Sequence, residues 1–381
     1  APASPRTLRG RPAAPAAPEK LSEEAQESMA NYQPASIQLG GYVQPQFRTR
    51  QNSPAQFDTE GFRFARARLI AQGQTRAGNL ELSAFIEAEL QPTFFLADGF
   101  VTLGRPLPDG GRVAFDVGQT RVPISRQNLL SDSRLAFVDK GQVATISPGR
   151  DLGGKVSFTP PKARQVRVIG GVFNGEGINN IENINEKYLY AGRVEITPIG
   201  RESQLAEGGF GGHYVTVAAS GGYNKLSAGD RTEAITYLGF DIAGSYRGLS
   251  GTFEYLQAKH RFETDLDPMS LPPDFKANGF VAQLNYRLPK KLPPFRQARF
   301  EVGARLEEID RNDTTPIVQP GDPEQSVRAI TGVASFYLRS HSVKAQLAVT
   351  RFQELEDRTV TNEDARYKND QVLLQVTYRL E

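Results

Sequence analysis

"LELSAFIEAEL", residues 80–90, alternates without a break: Leu80, Leu82, Ala84, Ile86, Ala88 and Leu90 share one parity, and Glu81, Ser83, Phe85, Glu87 and Glu89 share the other. Successive side chains of a strand point to opposite faces, so this segment reads as a strand with one apolar and one largely charged face. Its run is close to the roughly nine to eleven residues that a tilted strand needs to cross hydrocarbon, and longer than the ~5–6 of ordinary strands.

The same dyad recurs along the chain. In "IQLGGYVQPQF" Ile37, Leu39, Gly41, Val43, Pro45 and Phe47 oppose Gln38, Gly40, Tyr42, Gln44 and Gln46. "GFVAQLNYRL" sets Phe280, Ala282, Leu284, Tyr286 and Leu288 against Val281, Gln283, Asn285 and Arg287, and "RFEVGARLE" sets Phe300, Val302, Ala304 and Leu306 against Arg299, Glu301, Gly303, Arg305 and Glu307. Every charged residue in these stretches lies on the polar parity. A soluble sandwich also alternates. Segregation this complete favours lipid, because a Lys or Arg on the lipid face at mid-bilayer costs about 2–4 kcal/mol.

Dyads and turn residues together predict sixteen strands, near 36–50, 61–73, 79–91, 94–105, 112–121, 150–159, 164–173, 186–198, 212–225, 234–247, 250–262, 275–288, 297–310, 326–339, 342–354 and 368–380. Taken alternately, the connections form two classes. One holds polar loops at 51–60, 122–149, 174–185, 226–233, 263–274, 311–325 and 355–367, with a short exception at 92–93. The other is mostly tight and Gly/Pro-marked ("QTRAGN", "PLPDGG", "PPKARQ", "GLS", "SH"), with "PIGRESQLAEGGFGG" and "PKKLPPF" as longer exceptions. Short turns on one rim and long loops on the other are the asymmetry of outer-membrane barrels. The expected fold is therefore all-β: a 16-stranded antiparallel transmembrane β-barrel over 36–381. Aromatics fit two interfacial girdles, with Phe47, Tyr188, Tyr190 and Tyr223 at the long-loop rim and Tyr246 and Tyr286 at the other. The absence of Trp and the ending "QVTYRLE", without a terminal aromatic, depart from the usual pattern.

Composition narrows the function. No window of the 381 residues supplies the ~18 consecutive apolar residues of a membrane helix. Net charge is only +2 with no long basic block, which argues against nucleic acid. Cys is absent and His213, His260 and His341 are isolated, so neither a thiolate metal site nor a Ser/His/Asp centre is expected. No cofactor and no enzymatic activity are expected. Residues 1–35 read as a Pro/Ala-rich N-terminal periplasmic extension, with one or two helical turns in "SEEAQESMA" capped by Ser22. No apolar signal segment is visible, which leaves either a cytosolic chain or one whose signal has been removed.

The polar parity should line a lumen. In "GFRFARARLIAQG", Arg63 shares that face with Arg66 and Arg68 only if a bulge intervenes. Cross-strand ion pairs propping a wet wall account for many such residues. A barrel of this size leaves a wide aqueous channel unless something enters it. The candidate is the third long-rim loop, 122–149, within "VGQTRVPISRQNLLSDSRLAFVDKGQVATISPGRD". It and its flanks carry Arg121, Arg126, Arg134, Lys140 and Arg150 against Asp132 and Asp139, while Leu129, Leu130, Leu135, Ala136, Phe137 and Val138 are too apolar for a solvated loop. Folding inward would bury those residues and carry the cations to the constriction, where they favour anions. An ordered outer loop without a role in selectivity is the competing reading.

"GFRFARARLIAQG", "VGQTRVPIS" leading to "LLSDSRLAFVDKG", "PGRDLGGKVSF", "GGVFNGEG", "YAGRVEITP", "GFVAQLNY" and "QVLLQVTYRL" occur in an order and spacing that resembles the phosphate-selective porin O and P family across most of 36–381. The resemblance implies a sixteen-stranded outer-membrane porin, often a homotrimer, whose third external loop enters the lumen. It further implies an anion site among Arg66, Arg68, Arg121, Arg126, Arg134, Lys140 and Arg150. Glu81, Glu87, Glu89 and Asp116 on the same wall, and the lack of a Lys cluster at the inner mouth, depart from the family pattern. The expected function is a passive channel in the bacterial outer membrane, in contact with its lipid, for small hydrophilic solutes or anions. The alternative is a structural barrel whose residues 1–35 bind a periplasmic or envelope protein.

Overall fold

The computed structural model describes residues 32–51, 59–200, 206–210, 212–228, 231–264, 273–289, 298–314, 317–318, 326–355, 357–358 and 370–380. Most of the N-terminal extension, including the Ser22-capped turns, lies outside these residues. The first strand already begins at Tyr32, ahead of the expected start at 36.

The dyads become β1 (Tyr32–Arg50), β2 (Thr59–Ala77), β3 (Leu80–Glu89), β4 (Phe95–Pro106) and β5 (Arg112–Arg121). After a long connection come β6 (Arg150–Thr159), β7 (Val166–Phe173), β8 (Leu189–Ile199), β9 (Tyr214–Ala228) and β10 (Arg231–Tyr246). The ring continues through β11 (Leu249–Thr264), β12 (Phe275–Arg287), β13 (Arg299–Asp310), β15 (Ser326–Arg339), β16 (Val343–Glu354) and β18 (Gln371–Leu380). Each of these pairs antiparallel with its neighbours, and β18 pairs with β1, closing a sixteen-stranded barrel. Closure satisfies every strand edge, which hydrocarbon demands. The two-residue segments β14 (Ile317–Val318) and β17 (Asp357–Arg358) pair only with each other.

The loop expected at 226–233 is largely ladder: Leu226 pairs with Glu233 and Ser227 with Thr232. The physical reason is that polar side chains there find cross-strand partners. The Ser227 and Thr232 hydroxyls meet at 3.2 Å, and Glu233 meets His260 at 2.6 Å, so strand continues where composition suggested loop. On the opposite rim β10 turns into β11 through Arg247 and Gly248, at φ +48° and +90°. Two consecutive positive φ values define the hairpin turn that matches strand twist.

The exterior is apolar all round. Phe62 is 90% exposed, Leu39 76% and Ile37 74%, and exposed Leu, Ile, Val, Phe or Tyr side chains occur on every strand from β1 to β13 and on β15, β16 and β18. Such a continuous surface is a lipid face. Tyr190 and Tyr223 sit side by side at the long-loop end, and Phe47 packs on Phe62 at 5.1 Å there; Tyr246 and Tyr286 lie at the short-turn end. On β2 a bulge at Ala65, between the Gln44–Arg66 and Pro45–Phe64 pairs, turns Arg63 inward, where Nε donates to Gln46 Oε1 at 2.7 Å.

Candidate functional site

The apolar core of this protein lies between the barrel wall and segment 122–149. Val122, Ile124, Val143 and Ile146 pack with Phe173, Leu189, Tyr237, Leu256, Val281, Ile309 and Val327 of the wall. Ala136, Phe137 and Val138 pack with Val333, Ala348 and Leu373 on another part of it. These lumen-facing positions that receive the segment's apolar side chains are themselves apolar or small. A Cβ added at Gly222 would stand 2.8 Å from the Ile124 side chain, so the close approach there needs glycine.

Polar groups fix the segment's path. Ser125 caps a four-residue helix α1 (Arg126–Leu129), its Oγ accepting from Asn128 N at 3.2 Å. Glu254 on β11 accepts the Arg126 and Gln127 backbone N–H at 2.7 and 3.0 Å, meeting two donors a helix start leaves open. Asn128 Nδ2 donates to Ala144 O and Ser147 Oγ, tying the outgoing limb to the returning one. Lys344 Nζ and Gln346 Nε2 donate to the Leu135 and Ala136 carbonyls.

A second segment enters from the short-turn rim, the unusually long β8–β9 connection. The Glu207 carboxylate accepts from Gln127 Nε2 at 3.0 Å, Gln283 Nε2 at 2.6 Å and Ala136 N at 3.0 Å, while Glu207 N donates to Arg134 O. His341 Nε2 lies 2.8 Å from Glu207 O, and Phe210 packs on Tyr337 at 4.6 Å. Burial pushes the His341 pKa down to about 3, keeping this contact neutral.

Of the residues predicted as a cationic site, five form one ion-pair network at the root of the segment. Arg68 reaches Glu89 at 2.8 Å, Glu87 at 3.0 Å and Asp132 at 3.1 Å; Arg66 reaches Asp132 at 3.5 Å and Asp139 at 3.4 Å. Arg150 and Arg121 share Asp98, at 3.0 and 3.3 Å, and Lys140 lies 3.8 Å from Asp132. Burial would raise the Asp132 pKa, but Arg66, Lys140 and Arg68 outweigh it and hold the carboxyl well below the usual range. Lys140 is pushed down to about 8, by burial first, with Asp132 opposing and Arg121 and Arg150 assisting. The other two stand apart. Arg126 is fully buried beside Tyr214, and Arg134 is exposed to the lumen.

Between segment 122–149 and the wall of β2–β8 remains a cavity of about 370 Å³, with Arg379 of β18 also on its boundary. Its cations are Arg121, Arg134, Lys155, Arg167 and Arg379, and its carboxylates Glu87, Asp98, Asp116 and Glu195. The carboxylates are all engaged: Glu87 with Arg68, Asp98 with Arg150, Asp116 with Lys155 at 3.7 Å and Glu195 with Arg193 at 2.8 Å. Among the described residues Arg167 makes no ion pair, although it lies opposite Glu195 in the ladder, and the Arg379 side chain donates to Ser133 Oγ at 3.1 Å. A second cavity, of about 410 Å³, follows the same inner faces of β2–β5 towards the short-turn rim, lined by Gln74, Ser83, Thr102 and Arg112.

The alternation of β7 and of β18 puts Arg167 and Arg379 on the inward face, but nothing local to either strand brings them to one cavity. Lys155 is not legible in the sequence because Gly153 and Gly154 erase the dyad of β6, nor is Glu207, because its connection, a longer exception among the tight turns, carries no sign of entering the lumen. Among the described residues no cluster of three or more His, Cys, Asp or Glu could hold a metal.

No protein-family model and no curated protein matches the sequence. Solved structures match the fold. An anion-selective porin from Comamonas acidovorans is 14% identical, with 91% of this chain and 99% of that one covered and a TM-score of 0.56. In-vitro folded OmpT, an outer-membrane protein of Vibrio cholerae in trimer form, is 11% identical over 91% and 100% of the two chains, with a TM-score of 0.59. The outer-membrane channel DcaP of Acinetobacter baumannii is 13% identical over 91% and 97%, with a TM-score of 0.55.

Proposed function

We propose that this chain is a bacterial outer-membrane porin, a passive water-filled channel for small hydrophilic solutes with a preference for anions. The observation that carries the reading is the charged cavity left beside segment 122–149 inside a lipid-faced barrel, with its carboxylates already paired to cations. Ion pairs cancel most of each other's field, whereas Arg167 and Arg379 keep theirs, so a passing anion recovers part of its lost hydration there.

In this reading Arg66, Arg68, Arg121 and Arg150 clamp segment 122–149 to the wall, and Arg134 with the cavity cations faces the solute. The porin O and P resemblance brings phosphate into the range of solutes, but the clamp leaves few donors converging on one oxyanion, which favours weak anion preference over phosphate selectivity. The trimer form of a similar fold supports a homotrimer.

Planar-bilayer reversal potentials in a KCl gradient test the proposal. The parent protein should give conductance steps with a chloride-directed reversal potential, and Arg134→Ala should move it towards zero. A purified, folded protein without conductance steps would refute the channel.

A further inference from the structure

Two phenylalanines face this cavity from the wall. Phe85 and Phe100, directly paired on β3 and β4, point into the cavity with ring centroids 5.5 Å apart and planes inclined by 32°. The next two positions across the sheet on this level are Gly118 and Gly153, so the wall beside the rings carries no side chain. Ile169 and, from the inner segment, Leu129 add further apolar surface. Around this flat apolar recess stand cations: Lys155 Nζ lies 5.9 Å from the Phe100 ring centroid, and Arg167 and Arg379 line the same cavity. Arg379 Nε is buried without a hydrogen-bond partner.

We infer that this cavity is a binding site for an aromatic monocarboxylate, and that such organic anions, rather than inorganic ones, are the solutes the channel handles best. The inference rests on the channel reading above and names its substrate class. An inorganic oxyanion gains nothing from the Phe85–Phe100 face and displaces water from it to no benefit. A planar ring on that face stacks with it, while its carboxylate faces the cations that line the same cavity, of which Lys155 stands 5.9 Å from the Phe100 ring centroid. At about 370 Å³ the cavity suits one small organic anion with its water. Passage requires binding strong enough to admit the solute and weak enough to release it, and a one-ring, one-carboxylate contact meets both needs.

Benzoate, acetate and inorganic phosphate are the probes, read by equilibrium dialysis against the detergent-solubilised folded protein and by block of KCl current in planar bilayers. Benzoate should bind about tenfold or more tightly than acetate and phosphate. Phe100→Ala should bring benzoate to the level of acetate, and Arg167→Ala should weaken both carboxylates together. Circular dichroism and heat-modifiable gel migration establish that each variant is folded, and Phe85→Ala serves if Phe100→Ala does not fold. Equal dialysis affinities for benzoate and acetate in the parent would overturn the inference and leave the porin reading standing. Tight benzoate binding without conductance would refute the channel while upholding the site.

Discussion

Phe137→Ala tests whether packing holds segment 122–149 inside the barrel. Phe137 is 1% exposed, lies against Val333, Ala348 and Leu373, and carries the Arg305 guanidinium 4.7 Å above its ring centroid. Truncating a buried Phe costs about 3–5 kcal/mol, from lost transfer energy and the cavity left behind. At about 1.4 kcal/mol per factor of ten, the ratio of docked to undocked segment should fall by roughly two to three and a half orders of magnitude. The ladder itself is untouched, because Phe137 belongs to no strand. The barrel should therefore still form, while single-channel recordings at fixed salt show larger conductance and excess open-channel noise. The control is Phe62→Ala, at a lipid-facing site 90% exposed, which should leave the current trace unchanged. Conductance and noise in Phe137→Ala indistinguishable from the parent would refute the idea that the segment's apolar packing sets the aperture.

Glu254→Ala should strip two buried backbone donors of their acceptor, at about 1–3 kcal/mol each, and speed amide exchange at Arg126 and Gln127; Glu254→Gln, which keeps one acceptor oxygen, should do so less, and equal exchange in all three proteins would count against the anchor. Lys140 has its pKa pushed down to about 8 against about 10.4 in an unfolded chain, so its charge opposes docking fully below pH 8 and not at all above the unfolded value. Docking should strengthen and anion preference fall as pH rises from about 8 to 10, and reversal potentials of Lys140→Met should be flat across that window; a parent that is flat too sinks the assignment. Leu238→Arg, 56% exposed in mid-strand on β10, should lower stability in lipid vesicles by about 2–4 kcal/mol, and an unchanged urea midpoint would contradict a lipid-facing exterior.

The sequence by itself determined the number, order and facing of the strands. The dyad is local, and a lipid face tolerates no charge, so "LELSAFIEAEL" or "RFEVGARLE" declares its orientation without reference to the rest of the chain. The facing of Arg63 stayed open, since strict alternation sets it opposite Arg66 and only the bulge at Ala65 turns it inward. Strand ends were less legible at 226–233, where polar residues extend the ladder as well as they would fill a loop. What only the tertiary structure decided is which inward charges meet. Parity aims Arg68, Arg193 and Arg167 at the lumen alike, but Arg68 meets Glu87, Glu89 and Asp132 and Arg193 meets Glu195 and Asp241, while Arg167 forms no ion pair among the described residues. Those partners are set by the curvature of the ring and by two inserted segments, and the Coulomb field of a side chain depends on what stands across the lumen rather than on its neighbours in sequence.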